Sequence, residues 1–342
     1  MKTNHRFVIA LQSTEGQSLG QFTIAPDWQP AEEAVSLAVL RGGAGQLVPD
    51  GVRMSIEPVW GGSGEPHVEG VRVAHDGHAV TVPRAYFRTL AKDLGAKLVE
   101  EKKVADGTKF TWELLAYREA APAPVAPLPF GITVVPVTLP FREVDLSEWL
   151  GRSTPDGETG DGNFPVFIEP QVLEEARACT LAATGVETGG VLIGHLLRDH
   201  ATREIGLWIT AQIPAQHAPA TSAKLSFTPD TWVGVRAAIA LRRRDELMIG
   251  TWHSHPAIAW CAKCPPERQR ECGFRTPFFS DDDVLLHRTA FFRAYCVGLV
   301  IAHAADGLRH GLFGWQAGLI EPRSFHITEP NHDHAPSLTP TT

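Results

Sequence analysis

An α/β protein in two parts is what the sequence predicts, and three observations predict it. Strand-like apolar stretches alternate with amphipathic helical ones along most of the chain. A run of alanine and proline, residues 120–129, separates the first third from the rest, and such a run extends without building a core. At 342 residues the chain has room for two domains, each with a core of its own.

Taken in order, residues 1–119 read as a small α+β domain. Residues 7–11 and 21–24 are strand-like, residues 30–40 are helical, and Gly42 and Gly43 follow as a C-cap. The tetrapeptide Leu40-Arg41-Gly42-Gly43 is similar to a ubiquitin tail, but mid-domain, behind a helix, it needs only to end that helix. Val52, Met54 and Ile56 alternate as on a half-buried strand. Asp76-Gly77 predicts a hairpin between residues 71–74 and 79–82, and residues 105–107 predict another before residues 110–115. Pro83 opens a helix to about Leu94.

Residues 120–163 read as a Pro/Ala-rich and then Gly-rich linker, with at most an edge strand over 132–139 that Pro136 interrupts. The second domain, 164–321, has strands at 166–168, 190–196, 204–213, 247–255, 296–302 and 308–316. Helices are expected from Pro170, from Thr228-Pro229 and over 280–295. Residues 322–342 are polar and Pro-rich and read as disordered, with His326, His332 and His334 solvated. Trp208, Trp232 and Trp315 are expected in the core.

A formal charge of −8 argues against nucleic acid or an anionic membrane as partner. The N-terminal apolar run is short for a signal peptide and no stretch is long enough to span a bilayer, so a cytoplasmic protein is expected. Five cysteines, three of them within residues 261–272, favour metal or redox chemistry over a disulfide framework.

The chemistry gathers in Gly250-Thr-Trp-His-Ser-His-Pro256. Residues two apart on a strand share a face, so His253 and His255 project together and can converge on one cation. Alone, such a pair is more often two partly buried histidines. Two His and one carboxylate complete a hydrolytic zinc site with an open position, and Asp281, Asp282 or Asp283, in Ser280-Asp-Asp-Asp283, can supply the carboxylate. Ser280 and Asp283 also have the spacing of a helix capping box, and a capped first turn would hold a ligand rigidly. Glu187, just ahead of an apolar strand, is a candidate general base.

Taken together, Glu187, His253-x-His255-Pro256 and Ser280-x-x-Asp283 resemble the ordered signature of the JAB/MPN (JAMM) metalloproteases, as does Glu-x-Gly-Gly-x-Leu-x-Gly from Glu187. The resemblance implies a curved mixed sheet flanked by helices. It also implies zinc held by His253, His255 and Asp283, with Glu187 as base and Ser280 as oxyanion donor. The implied activity is cleavage after the C-terminal glycine of a ubiquitin-like protein or its conjugates, by attack of zinc-activated water. E1- and E2-like enzymes are the implied partners, in some bacterial members within antiphage systems. A processing peptidase for ubiquitin-fold sulfur carriers and an inactive MPN scaffold are the competing readings. One departure stands out: 24 residues, 256–279, separate His255 from Ser280, where the family has a short spacer. That insert carries Cys261, Cys264 and Cys272, a candidate structural zinc site whose fourth ligand would come from Cys179, Cys296 or a histidine such as His287. A free-thiol loop, or a Cys261–Cys264 disulfide, is the alternative.

Overall fold

The computed structural model describes residues 4–119, 138–157, 163–183, 185–215 and 227–329. The expected Pro/Ala run, most of the expected edge strand over 132–139, and His332 and His334 lie outside the described residues. The chain divides into two compact units, one of Met1–Leu40, Ala44–Thr138 and Gln316–Leu319, the other of Arg41–Gly43, Leu139–Trp315 and Ile320–Thr342.

The first unit contains β1 (Asn4–Ser13), β2 (Ser18–Thr23), α1 (Gln29–Arg41), β3 (Ser55–Trp60), β4 (Val68–His75), β5 (His78–Pro83), α2 (Arg88–Glu100) and β6 (Phe110–Glu119). Two three-stranded sheets result, ordered β2-β1-β6 and β3-β4-β5. Strand periodicity explains β1: Phe7, Ile9 and Leu11 enter the main core with Val35, Val71 and Phe87, while Val8 and Ala10 pack with Leu115 on the opposite face. The β4–β5 hairpin turns on Asp76 and Gly77, both at positive φ, as a two-residue turn between twisted strands requires.

Three local expectations change here. Val52 and Met54 precede β3, because Pro49 to Val52 forms a hydrogen-bonded turn with Gly51 at φ +80°. The turn at 105–107 joins α2 to β6, whose partner is the distant β1 rather than a preceding strand. After Pro83 comes a 3-10 turn, Arg84–Phe87, and the helix proper then runs on to Glu100.

The second unit runs β7 (Phe141–Val144), α3 (Leu146–Gly151), β8 (Ser153–Asp156), β9 (Val166–Ile168), α4 (Pro170–Ala182), β10 (Gly189–Asp199) and β11 (Ile205–Pro214). It continues with α5 (Pro229–Arg242), β12 (Leu247–His255), α6 (Ala257–Cys261), α7 (Asp281–Ala290), β13 (Val297–Ala304), β14 (Gly307–Gln316), β15 (Leu319–Arg323) and β16 (Phe325–Thr328). One curved mixed sheet takes all ten strands of this unit in the order β15-β14-β13-β12-β10-β11-β9-β16-β8, with β7 paired to β10. Every residue of β10 is buried. A continuous apolar run is what a strand covered on both faces looks like in sequence.

Part of the expected linker is therefore sheet. β7 runs parallel to the second half of β10, where β12 has already ended, and Leu146 and Trp149 pack on Phe167 and Trp208. The Asp199 carboxylate fastens this segment by accepting the Leu146 N–H at 2.8 Å. Nor is the chain disordered from residue 322: β16 pairs with β9 and β8, Phe325 is buried, and the His326 ring lies against Phe167 rather than in solvent. The aspartate helix stops at Ala290 instead of Tyr295, with the Phe291 carbonyl accepting from the Trp315 indole at 3.1 Å. Trp208 and Trp315 are core residues; Trp232 is half-buried between Phe227 and Phe291.

Two glycines of this unit should respond oppositely to alanine. A Cβ on Gly194, at the bulge of β10, would sit 1.9 Å from the Trp208 carbonyl oxygen, whereas one on Gly234 in α5 meets open space. Gly194→Ala should cost about 2 kcal/mol, and Gly234→Ala should stabilise by up to ~1 kcal/mol, both read from urea unfolding. Equal midpoints for the two variants would contradict this packing.

Candidate metal centre

The histidine pair is placed by backbone pairing. β12 is interior to the sheet, antiparallel to β10 with Gly189 opposite His253, and parallel to β13 with His253 opposite Val300 and His255 opposite Ala302. Strand alternation sends both imidazoles to one side, where their Nε2 atoms lie 3.0 Å apart. Both rings are buried. Pro256, which cannot extend the ladder, ends the strand beyond the second histidine.

Asp283 arrives from α7. Ser280 is the N-cap, and its hydroxyl accepts the Asp283 N–H at 3.2 Å. In return Asp283 Oδ2 accepts the Ser280 N–H at 2.7 Å and the Ser280 hydroxyl at 2.6 Å. The same carboxylate oxygen is 3.5 Å from His253 Nε2. Ligand atoms of His253, His255 and Asp283 thus lie within 4.8 Å of one another. Asp281 and Asp282 stay on the exposed first turn, where acidic groups suit the helix dipole.

Glu187 sits just ahead of β10 and is buried. The ladder continues past Gly189 because Ser254 N–H donates to the Thr188 carbonyl at 2.7 Å and Thr188 N–H donates to the Ser254 hydroxyl at 3.0 Å. Glu187 therefore comes level with His255 in the register. Ser254, unremarked in the sequence between two histidines, is the clip that fixes the glutamate segment to the histidine strand. A second unforeseen contact is that of His287, buried on α7, with the Thr251 hydroxyl at 3.1 Å. This ties the aspartate helix to the histidine strand.

The electrostatics suit a cation. Burial, then the neighbouring His253, push His255 down to about 3, so its ring is neutral and its lone pair free. Burial likewise holds His287 to about 3. Asp283 is pushed up by burial, but contacts with His253 and the Ser280 hydroxyl and N–H outweigh that and hold it well below the ordinary carboxylate range. Two imidazole nitrogens and an ionised carboxylate are a zinc-hydrolase donor set. Two Nε2 atoms facing at 3.0 Å can satisfy each other only if one is the donor, whereas a cation between them satisfies both. The residues fit the metal. The support behind His255 is aromatic: Phe278 and Trp260 pack on its ring at 4.4 and 4.9 Å between centroids, and its Nδ1 is buried without a hydrogen-bond partner.

The cysteines behave differently. Cys264 Sγ is 3.6 Å from Cys272 Sγ, and Cys272 also accepts from Cys261. The three form a chain with Cys272 in the middle, and among the described residues it is the His253–His255–Asp283 set that brings three ligand atoms within 4.8 Å. The suggested fourth ligands are used elsewhere or lie on other elements: His287 is on Thr251, Cys179 on α4, and Cys296 is buried at the head of β13.

Plasma mass spectrometry of the reconstituted chain should find about one zinc per molecule, the complement of one such donor set, and none in Asp283→Ala. Ser280→Ala, which frees the carboxylate to rotate, should weaken zinc about 10–100-fold in competition with a chelating dye. Full zinc in Asp283→Ala would remove that residue from the site.

Residues 169–259 match the family of prokaryotic homologs of the JAB domain. Glu187, His253 and His255 fall inside that match; Ser280 and Asp283, beyond the insert, fall outside it. No curated protein matches the chain. Among solved structures, the solution structure of protein DSY2949 from Desulfitobacterium hafniense is similar at 19% identity and a TM-score of 0.33, over 49% of this chain and 97% of that one. The second unit of this chain thus carries a segment, residues 169–259, that matches the JAB/MPN family.

Proposed function

We propose that this protein is a zinc-dependent isopeptidase or peptidase that cuts after the C-terminal glycine of a ubiquitin-like protein. The observation that carries the reading is the convergence of His253, His255 and Asp283 at the end of the strand to which Glu187 is clipped. His253, His255 and Asp283 would hold the metal, which when bound acts as a Lewis acid and lowers the pKa of water from ~16 toward ~7.

The rest falls to the chain's own groups. Glu187 takes the proton from the attacking water and hands it to the leaving amine nitrogen. Ser280 has one hydroxyl proton and gives it to Asp283, so its first task is to orient that carboxylate. An oxyanion role asks the hydroxyl to turn from Asp283 to the substrate. Exposed apolar side chains lie close in sequence to each site group: Val186 beside Glu187, Ile258 after His255 and Leu285 after Asp283. Exposed apolar groups of this kind would suit a folded protein substrate with an apolar patch. E1- or E2-like enzymes are the partners this reading implies.

Glu187→Gln should lower turnover of a ubiquitin-like conjugate by about 10²–10⁴-fold while zinc content stays at the wild-type value. Chelation should abolish turnover, and added zinc should restore it. A variant that keeps its turnover would disprove the assignment of Glu187 as base; one that loses its zinc would make Glu187 a ligand. Cleavage of a lysine-linked conjugate, against cleavage of a linear C-terminal extension, separates an isopeptidase from a precursor-processing peptidase.

A further inference from the structure

The insert between His255 and Ser280 does more than lengthen a loop. It folds as α6, a turn from Cys261 to Cys264, and two 3-10 turns, Pro266–Glu271 and Gly273–Arg275. These short turns bring its three thiols together. All are free. Cys264 donates to Cys272 across 3.6 Å, and Cys272 also receives hydrogen bonds from the Cys261 thiol and the Phe274 N–H. Both Cys264 and Cys272 are part-exposed and line a cavity of about 540 Å³ with Arg268, Phe274 and Phe278. A peroxide-sized oxidant has access to the pair.

We propose that Cys272 and Cys264 are the attacking and resolving thiols of a reversible disulfide that adjusts the packing of His255. The donors around Cys272 give it the role of attacker: the Cys261 thiol first, then the Phe274 N–H, the Cys264 thiol and the Arg275 guanidinium, hold its thiol below the usual range against the penalty of burial. Cys264 is shifted the other way, chiefly by its hydrogen bond to Cys272, and burial pushes Cys261 up to about 11. The surrounding donors favour the charged form of one sulfur, and its neighbour holds its proton more tightly.

The chemistry balances with a peroxide as oxidant. The Cys272 thiolate attacks one peroxide oxygen, the O–O bond breaks, and hydroxide leaves with Cys272 as a sulfenic acid. Cys264 then attacks that sulfur, the S–O bond breaks, and its proton leaves with the oxygen as water. Two electrons pass from two thiols to the peroxide, and a dithiol reductant reverses the change.

The route to the metal centre is a stack of rings. Closing the sulfurs from 3.6 Å to the ~2.05 Å of a bond moves Cys272, and Phe274 lies two residues further on. Phe274 packs edge-on against Trp260 at 5.3 Å and lies 5.9 Å from Phe278. Trp260 and Phe278 are the two rings packed against His255. The disulfide stands on the sulfur geometry alone. Its effect on turnover rests on the hydrolase reading.

The test uses the full, zinc-loaded chain treated with hydrogen peroxide. Free thiols should fall by two from the five present. Peptide mapping should find Cys264 linked to Cys272, and dithiothreitol should restore both thiols. Cys264→Ser should trap Cys272 as a sulfenic acid that reacts with dimedone, while Cys261→Ser should still form the disulfide. Turnover should fall several-fold in the oxidised wild type, recover with dithiothreitol, and be unmoved by peroxide in Cys264→Ser. Unchanged thiols, or a Cys261–Cys264 link, would overturn the proposal. So would a second zinc that persists in Asp283→Ala and is lost in Cys272→Ser, since the thiols would then be ligands. The thiol readouts need no turnover, so a chain that forms the disulfide without cleaving any conjugate removes the hydrolase reading and leaves this one standing.

Discussion

The pairing of β10 with β12 sets the positions of His253, His255 and Glu187, three of the groups the proposed chemistry needs. With Gly189 opposite His253 and Gly190 opposite Trp252, the residue before Thr188 can only arrive beside the second histidine. A slip of one residue would turn both imidazoles to the other face of the sheet. Such a slip is opposed by the Ser254–Thr188 pair of hydrogen bonds, while on the other edge of β10 the glycines at 190 and 194 let the β11 carbonyls approach closely. Close strand approach and correct placement of the histidines are one constraint.

The second constraint is electrostatic. Burying the His255 imidazole keeps it neutral, which costs the fold its hydration but leaves a lone pair available. A buried carboxylate is harder to accommodate, and Asp283 is stabilised by its place at a helix N-terminus and by the Ser280 amide and hydroxyl. The capping box is thus both a folding signal and a ligand support. That is why Ser280 and Asp283 belong together even though the insert separates them from the histidines.

Much of this was legible in the sequence, for identifiable reasons. β12 shows itself from Leu247 to His255 because an apolar run ends at a proline. The N-caps Thr228 and Ser280 are visible because side-chain capping is local chemistry. Contacts made by distant residues were not legible. β7, β8 and β16 are short, polar in part, and exist because β10, β16 and β9, in that order, offer them an edge; nothing local in residues 141–156 or 325–328 says so. The same holds for β6, whose partner is β1, and for His287, whose bond to Thr251 spans 36 residues. The cysteines were legible as a cluster, but spacing alone suggested Cys261 and Cys264 as the couple, whereas the 3-10 turns set Cys264 against Cys272.

The metal centre therefore has two kinds of support. On the sheet side, hydrogen bonds from Ser254 and Thr251 fix the chain to fractions of an ångström, and few alternatives fit. On the insert side, His255 rests on rings held by dispersion and quadrupole contacts, which tolerate sliding far better than hydrogen bonds do. A rigid wall defines which atoms meet, and an adaptable wall is where their fit can be altered without unfolding the sheet. The 24-residue insert both touches a proposed ligand and carries part-exposed thiols. The insert thus meets the centre where the His255 side chain is held by ring packing rather than by strand pairing.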